Sequence, residues 1–251
     1  MLRDELDMLE CRLIELEDYD VTHVLVESFA THRGVPKPLH YANESGRRFR
    51  RWEHRIRTVA VGEAAFRPGA GSWEREHTQR DMAWLVLAPD PGDLVLICDV
   101  DEIPSPAVLN WVGEEAAAVR MRACLFAVDW EVPQHALPPQ CVIARAGWLG
   151  GKSLAAVRDA RDSYPVISDG GWHLSWLGGP EAQRQKLETA TCHTELFDMP
   201  TGALIMDGSC WRDGRTDGGL PVVPVDVDGS WPAYVRKRQC PDNWFRPRES
   251  A

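Results

Sequence analysis

Leu94-Val95-Leu96-Ile97-Cys98, followed without a break by Asp99-Val100-Asp101-Glu102-Ile103-Pro104, is the stretch on which the reading of this chain turns. Five apolar residues in a row, entered from the turn Pro91-Gly92-Asp93, predict a short strand covered on both faces, as in the centre of a parallel sheet. Three carboxylates in four residues then stand at its exit. In open α/β sheets, ligands bind beyond the carboxyl ends of the strands. Anions crowded there are costly unless something positive neutralises them, and a hard divalent cation carrying a diphosphate is a natural solution. A solvated acidic turn is the plainer alternative. The apolar run before the motif and Ile103-Pro104 behind it favour the ligand site.

Working outward, apolar residues at Leu6, Leu9, Leu13 and Leu16 have helical spacing. Val21 to Phe29 is a β-rich run with Glu27 near its end, and a second strand is expected at Ile56 to Val61. Ser72 is a plausible N-cap for a helix from Trp73 to about Ala88, with Glu74 and Glu76 in its first turn. Ser105-Pro106 predicts another helix, with Val108, Val112, Ala116 and Val119 on one face. Strands are expected at Ala123 to Val132 and Cys141 to Ala146, and helices at Lys152 to about Arg161 and Pro180 to about Ala190. Between the last two helices lies the glycine-bracketed aromatic stretch Gly170 to Gly179. If it is a strand, Trp172, Leu174 and Trp176 share one face and His173 and Ser175 the other. Residues from about 200 to 251 are rich in Gly, Pro and Asp and read as irregular. Strands and helices alternate without repeats or a linker, so residues 1–251 read as one α/β domain.

Composition narrows the class. The 251 residues are 44% hydrophobic and 26% charged, ordinary for a soluble globular chain and unlike a disordered or coiled-coil one. No apolar run approaches the ~20 residues of a membrane helix, and Met1-Leu2-Arg3-Asp4-Glu5 is unlike a secretory signal. A cytoplasmic protein without a membrane partner is the expectation. Seven cysteines without a CxxC pair suggest reduced thiols rather than a disulfide framework or structural zinc. The formal charge of −10 disfavours general binding to nucleic acid. Arg47, Arg48, Arg50, Arg51, Arg55 and Arg57 nevertheless form a basic run opposed only by Glu53. Tryptophan supplies 11 of the 21 aromatics, suited to stacking on sugars or to filling core.

An acidic pair after a strand has two frequent readings: the nucleotide-sugar site of a GT-A glycosyltransferase and the aspartyl-phosphate motif of haloacid dehalogenase-type phosphatases. The phosphatase motif wants Thr or Val where Ile103 stands, and its downstream Lys and acidic pair are not evident. The transferase reading wins. In ordered blocks the chain resembles glycosyltransferase family 17: Asp4 to Leu13, Gly34 to Leu39, Trp73-Glu74-Arg75-Glu76 on to Gln79-Arg80, Asp99 to Pro104, Gly171 to Trp176, and Lys186 with His193 and Glu195. The resemblance implies a GT-A-like fold with a central, mostly parallel sheet flanked by helices. It also implies a UDP-sugar donor, Mn²⁺ or Mg²⁺, and inversion at the anomeric carbon. Family members usually carry a strand before the Glu-Leu-Asp block, so the fold is expected to be N-terminally shortened at the nucleotide pocket.

Within that resemblance, Asp101 and Asp99 are the expected metal ligands, with His193 as a further one. Arg75 and Arg80 would offset diphosphate charge, and Glu102, Trp172 and His173 would line the donor site. An inverting transfer needs a carboxylate to deprotonate the acceptor hydroxyl. Glu195 is favoured, Asp169 is second and Glu131 a distant third. The acceptor is expected to be a hydroxyl on a glycan, protein or small molecule. Alternatives are a hydroxylated DNA base gripped by the arginine run, or a non-catalytic relic that binds nucleotide sugar or glycan without turnover.

Overall fold

The computed structural model describes residues 5–133, 137–189, 210–211, 220–221 and 223–245. Its elements in chain order are α1 (Leu6–Glu15), β1 (His23–Ser28), α2 (His40–Glu44), β2 (Ile56–Val61), α3 (Ser72–Asp81), β3 (Leu94–Ile97) and β4 (Glu102–Pro104). There follow β5 (Ala116–Val119), β6 (Arg122–Leu125), β7 (Trp130–Val132), β8 (Cys141–Arg145), α4 (Ala146–Leu149), α5 (Leu154–Asp159), β9 (Val166–Ile167), β10 (Gly171–Ser175) and α6 (Gly179–Thr189). The short strands β11 (Cys210–Trp211), β12 (Leu220–Pro221) and β13 (Val223–Pro224) and the helix α7 (Ala233–Arg236) close the described chain. No helix among the described residues is long and apolar enough to cross a membrane.

The α/β class holds, but the sheets are mixed rather than mostly parallel. β1 and β2 pair in parallel. A four-stranded sheet runs β3-β8-β5-β9, and only β5–β9 is parallel. A five-stranded sheet runs β13-β7-β6-β10-β4, and only β10–β6 is parallel. The deciding strand β3 is at an edge and antiparallel to β8. Its two apolar faces are real: Val95 and Ile97 pack with Leu154 and Val157, whereas Leu94 and Leu96 pack with Val119 and Ile143. An unbroken apolar run reports that both faces are covered, but not which way the neighbours run.

The helix expected after Ser105 is overturned. Ser105 Oγ accepts from the Ala107 N–H, but the turn it starts ends as a 3-10 helix at Asn110. Val112 is 85% exposed, and Ala116 and Val119 belong to β5. Three alanines would favour a helix, so local propensity is overridden here by tertiary pairing: β5 is buried throughout and bonded on both edges, to β8 and β9. Ser72 is the first residue of α3 rather than its cap; Gly71 takes the cap position without a side-chain bond. The stretch Ala123 to Val132 is two strands, β6 and β7, joined by a reversal.

One core gathers distant segments: Leu9 and Leu13 of α1, Phe49, Ile103, Leu174 and, from the stretch read as irregular, Trp231 and Trp244. Several tryptophans therefore serve packing. Cys11, Cys98, Cys124, Cys141 and Cys240 are free thiols.

His23 opens β1 and is buried. Burial, reinforced by the Arg12 and Arg55 guanidiniums, lowers its imidazole to about 3. The unfolded group titrates near 6.5. Stability from the neutral imidazole is therefore full above pH 6.5 and lost as the pH falls toward 3, at ~1.4 kcal/mol per unit. His23→Asn should lose less stability than the wild type between pH 6.5 and 4, as read from urea midpoints at each pH.

Candidate functional site

The acidic motif turns between β3 and β4, and α3, α5, β10 and α6 each send a side chain to it. The burial pattern of α5 explains the largest contribution. Leu154, Ala155, Val157 and Arg158 are all buried, so the helix drives a guanidinium into the interior with its apolar face. Arg158 NH2 donates to Glu102 Oε1 at 2.6 Å and Asp99 Oδ2 at 2.8 Å, while NH1 donates to Glu102 Oε2 at 2.9 Å and the Ile97 carbonyl at 3.1 Å. Arg80, on the buried side of α3, donates to Asp99 Oδ1 at 3.0 Å and to Glu76 at 3.0 Å. The Asp99 N–H donates to Glu102 Oε2 at 2.7 Å. Arg12 of α1 reaches the Asp99 and Glu102 carbonyls from below.

Asp101 has a separate set of partners. Ser175 Oγ and Lys186 Nζ both donate to its Oδ2 at 2.9 Å, and His173 Nε2 is 3.8 Å from the same oxygen. Period-2 alternation in β10 turns His173 and Ser175 toward Asp101 while Trp172 and Leu174 pack against the core. Trp176 follows the strand in a left-handed conformation, φ 62°, and redirects the chain into α6, whose Lys186 returns to Asp101. β10 begins at Gly171, φ 136°, where a Cβ would lie 2.1 Å from the Ile103 carbonyl oxygen. Gly171→Ala should therefore cost ~1–3 kcal/mol by chemical denaturation.

Burial opposes ionisation of both aspartates, yet both stay charged. For Asp99 the Arg158 and Arg80 guanidiniums outweigh burial and hold the carboxyl well below the usual range. For Asp101, Lys186 and His173 outweigh it and bring the group to about 2. Two carboxylates, Asp101 buried and Asp99 half-buried, held ionised at a strand exit are suited to act on a charged ligand.

The expected site residues divide. Arg80, Asp99, Asp101, Glu102 and His173 are brought together. Arg75 points to Glu63, 3.0 Å from NH1 to Oε2, and covers the Phe66 ring. Trp172 is partly buried against the core rather than on the Asp101 face. Asp169 precedes the far end of β10, since Gly171 pairs with Pro104 and Leu174 N–H reaches the Asp101 carbonyl. Glu131 of β7 is paired with Arg122 at 2.7 Å. His193 and Glu195 lie outside the described residues. Sequence reasoning missed Arg158, Ser175 and the role of Lys186. A lone arginine three and four residues from the apolar Ala155 and Leu154 was the available signal for the first.

The donor set for a divalent metal is partial. Asp99 and Glu102 have their oxygens engaged by guanidiniums, and the described contacts to Asp101 all fall on Oδ2. No three His, Cys, Asp or Glu side chains among the described residues form a metal-binding group. These residues supply one ligand, Asp101, rather than a complete shell. His173 Nδ1 is buried without a hydrogen-bond partner among them, a polar atom left over beside that carboxylate.

Compared with known proteins, residues 1–178 match the model of one family, described as glycosyltransferase family 17. No curated protein matches the chain, and no solved structure does.

Proposed function

The chain belongs to glycosyltransferase family 17, and sugar transfer is what that membership implies; on this premise we propose that it moves a hexose such as N-acetylglucosamine from a UDP-sugar to an acceptor hydroxyl with inversion. The observation that carries the reading is the carboxylate cluster Asp99, Asp101 and Glu102 at the exit of β3, ringed by Arg80, Arg158, Lys186 and His173. Fixed charges of both signs at a strand exit are suited to a diphosphate, whose leaving electrons must be stabilised as the sugar departs. Lys186 and Arg80 are the cations proposed for that work, Arg158 being held on Glu102 and Asp99, and the unpartnered His173 Nδ1 is available to a polar group of the donor.

In the proposed step a carboxylate takes the proton of the acceptor hydroxyl, and the oxygen attacks the anomeric carbon. The bond from that carbon to the diphosphate oxygen breaks on the opposite face, and its electron pair leaves with UDP. Glu195 is the proposed base. It follows α6, the helix that brings Lys186 to Asp101, whereas Asp169 adjoins the other end of β10. A bound Mn²⁺ or Mg²⁺ would supply Lewis-acid stabilisation of the diphosphate. Asp101 is the ligand this part of the proposal rests on.

The acceptor is proposed to be a glycan, protein or small-molecule hydroxyl rather than a DNA base. Five of the six clustered arginines are already engaged. Arg47 pairs with Glu44, Arg48 with Asp7 and Glu10, and Arg51 lies over Trp52 beside Glu17. Arg55 donates to the Glu17 and Tyr19 carbonyls, and Arg57 to that of Val86. Arginines bonded within the fold release few counterions from a phosphate backbone. The test is binding and hydrolysis of UDP-GlcNAc, UDP-glucose, UDP-galactose and GDP-mannose, with and without Mn²⁺. Turnover of one UDP-sugar supports the proposal. Binding without turnover would leave the non-catalytic relic, and no binding would overturn both.

A further inference from the structure

β3 and β8 bring two cysteines face to face at the entrance to the acidic turn. Their antiparallel register pairs Leu96 with Ile143 and Ile97 with Val142. One step further, Cys98 stands opposite Cys141. Opposed residues of an antiparallel pair lie ~4.5–5.5 Å apart between Cα atoms, inside the ~4.4–6.8 Å over which a disulfide closes. The side chains also point the same way. Both thiols pack with Val119 and Ile143 on one face of the sheet, and they are hydrogen-bonded to each other.

The two differ in access. Cys141 is completely buried. Cys98 is partly exposed and lines a cavity of about 710 Å³ between β1 and β3. A reagent little larger than water therefore meets Cys98 first, with Cys141 directly behind it. Cys11, Cys124 and Cys240 are buried and line no part of that cavity. No third His, Cys, Asp or Glu completes a metal-binding group with the pair among the described residues. Two adjoining thiols without further ligands are suited to oxidation rather than to holding an ion.

We infer that Cys98 and Cys141 are a reversible oxidation site: hydrogen peroxide oxidises Cys98, Cys141 resolves it, and the disulfide latches the acidic turn to β8. In the first step the Cys98 sulfur bonds to one peroxide oxygen and the O–O bond breaks. The thiol proton goes to the departing oxygen, which leaves as water, and Cys98 is a sulfenic acid. In the second step the Cys141 sulfur attacks the Cys98 sulfur and the S–O bond breaks. The hydroxide leaves with the Cys141 proton as a second water. The sulfurs lose two electrons in all and the peroxide gains them; a thiol such as glutathione reverses the change by exchange. The latch sits at a sensitive point, since the next residue, Asp99, gives its N–H to Glu102 and its carbonyl to Arg12. Tethering Cys98 restrains the residue that begins the turn. The inference stands on the thiol pair and is independent of the sugar-transfer reading.

The test is graded hydrogen peroxide on the reduced full chain, followed by alkylation and peptide mapping. A Cys98–Cys141 cross-linked peptide, lighter by two hydrogens, should appear before Cys11, Cys124 or Cys240 is modified. The disulfide closes a loop of just over forty residues, so the oxidised protein should melt about 5–10 °C higher. Glutathione should return both the mass and the Tm. In Cys141→Ala, a cyclic dione that captures sulfenic acids should label Cys98; in Cys98→Ser, Cys141 should stay unlabelled. The wild-type mapping decides the matter even where a variant misfolds. Cross-linking only after urea has unfolded the chain would overturn the inference. So would sulfinic acid at Cys98 of the wild type without a cross-link, or first capture at Cys141. A cross-link that leaves Tm unchanged would overturn the latch.

Discussion

Arg158→Met should lower stability by ~3–5 kcal/mol, the usual cost of removing one partner from a buried ion pair. For a chain of this size that is a fall in Tm of about 10 °C. The side chain of Glu102 is 3% exposed, and both its oxygens are held by this one guanidinium. Without it, a carboxylate remains in the interior with only the Asp99 N–H for company. Asp99 fares better because Arg80 keeps its other oxygen. The loss should therefore be reversible by removing the stranded charge. Arg158→Met combined with Glu102→Leu is expected to recover more than half of it, since apolar groups of similar volume replace buried pairs at little cost. Differential scanning calorimetry of the two single variants and the double variant closes the cycle. Additive losses would show that Arg158 stabilises through packing alone.

Asp101→Asn should lower turnover of the donor by roughly 10²–10³-fold, the range seen when one electrostatic contact to developing charge is removed. Asparagine keeps an acceptor for Ser175 and Lys186, so the fold should survive and near-UV circular dichroism should be unchanged. The comparison that gives this meaning is Lys186→Met. If Asp101 only holds Lys186 in place, the two variants should lose activity equally. If the carboxylate also acts on a cation or the sugar, Asp101→Asn should lose much more in kcat, with a smaller change in KM. An Asp101→Asn enzyme with wild-type kcat would remove the cluster from the chemistry.

Much of this organisation is legible without coordinates because it is local. α1, β1 and β2 follow from spacing and composition within ten residues, and β2 spans Ile56–Val61 as expected. The acidic motif announces itself by an anion count at the end of an apolar run. What the sequence does not carry is pairing across long separations. β3 reads equally well in a parallel or an antiparallel neighbourhood, and only β8, more than forty residues on, decides it. Arg158 escapes for a related reason: its partners are 56 and 59 residues away, and arginine is ordinarily a surface residue. Arg75 misleads in the opposite sense, since its spacing within the motif block suits a ligand while its side chain is spent on Glu63. Ser105 shows a correct local signal overruled, a cap that starts a turn the following alanines abandon for a sheet.

The position of β10 bears on synthesis from the ribosome. It is inserted between β6 and β4, two strands translated about fifty and seventy residues earlier. Until residue 175 clears the exit tunnel, β4 and β6 have no common neighbour, and the edges that will receive β10 stand open. Asp101 meanwhile lacks Ser175, His173 and Lys186. The joining of β4 to β6 and the arrival of His173 and Ser175 at Asp101 thus depend on the same late strand, and until then those edges stay open and Asp101 lacks these partners. A chain ending between residues 171 and 186 is therefore expected to yield far less folded protein than one that carries β10 and Lys186, as read from the soluble fraction.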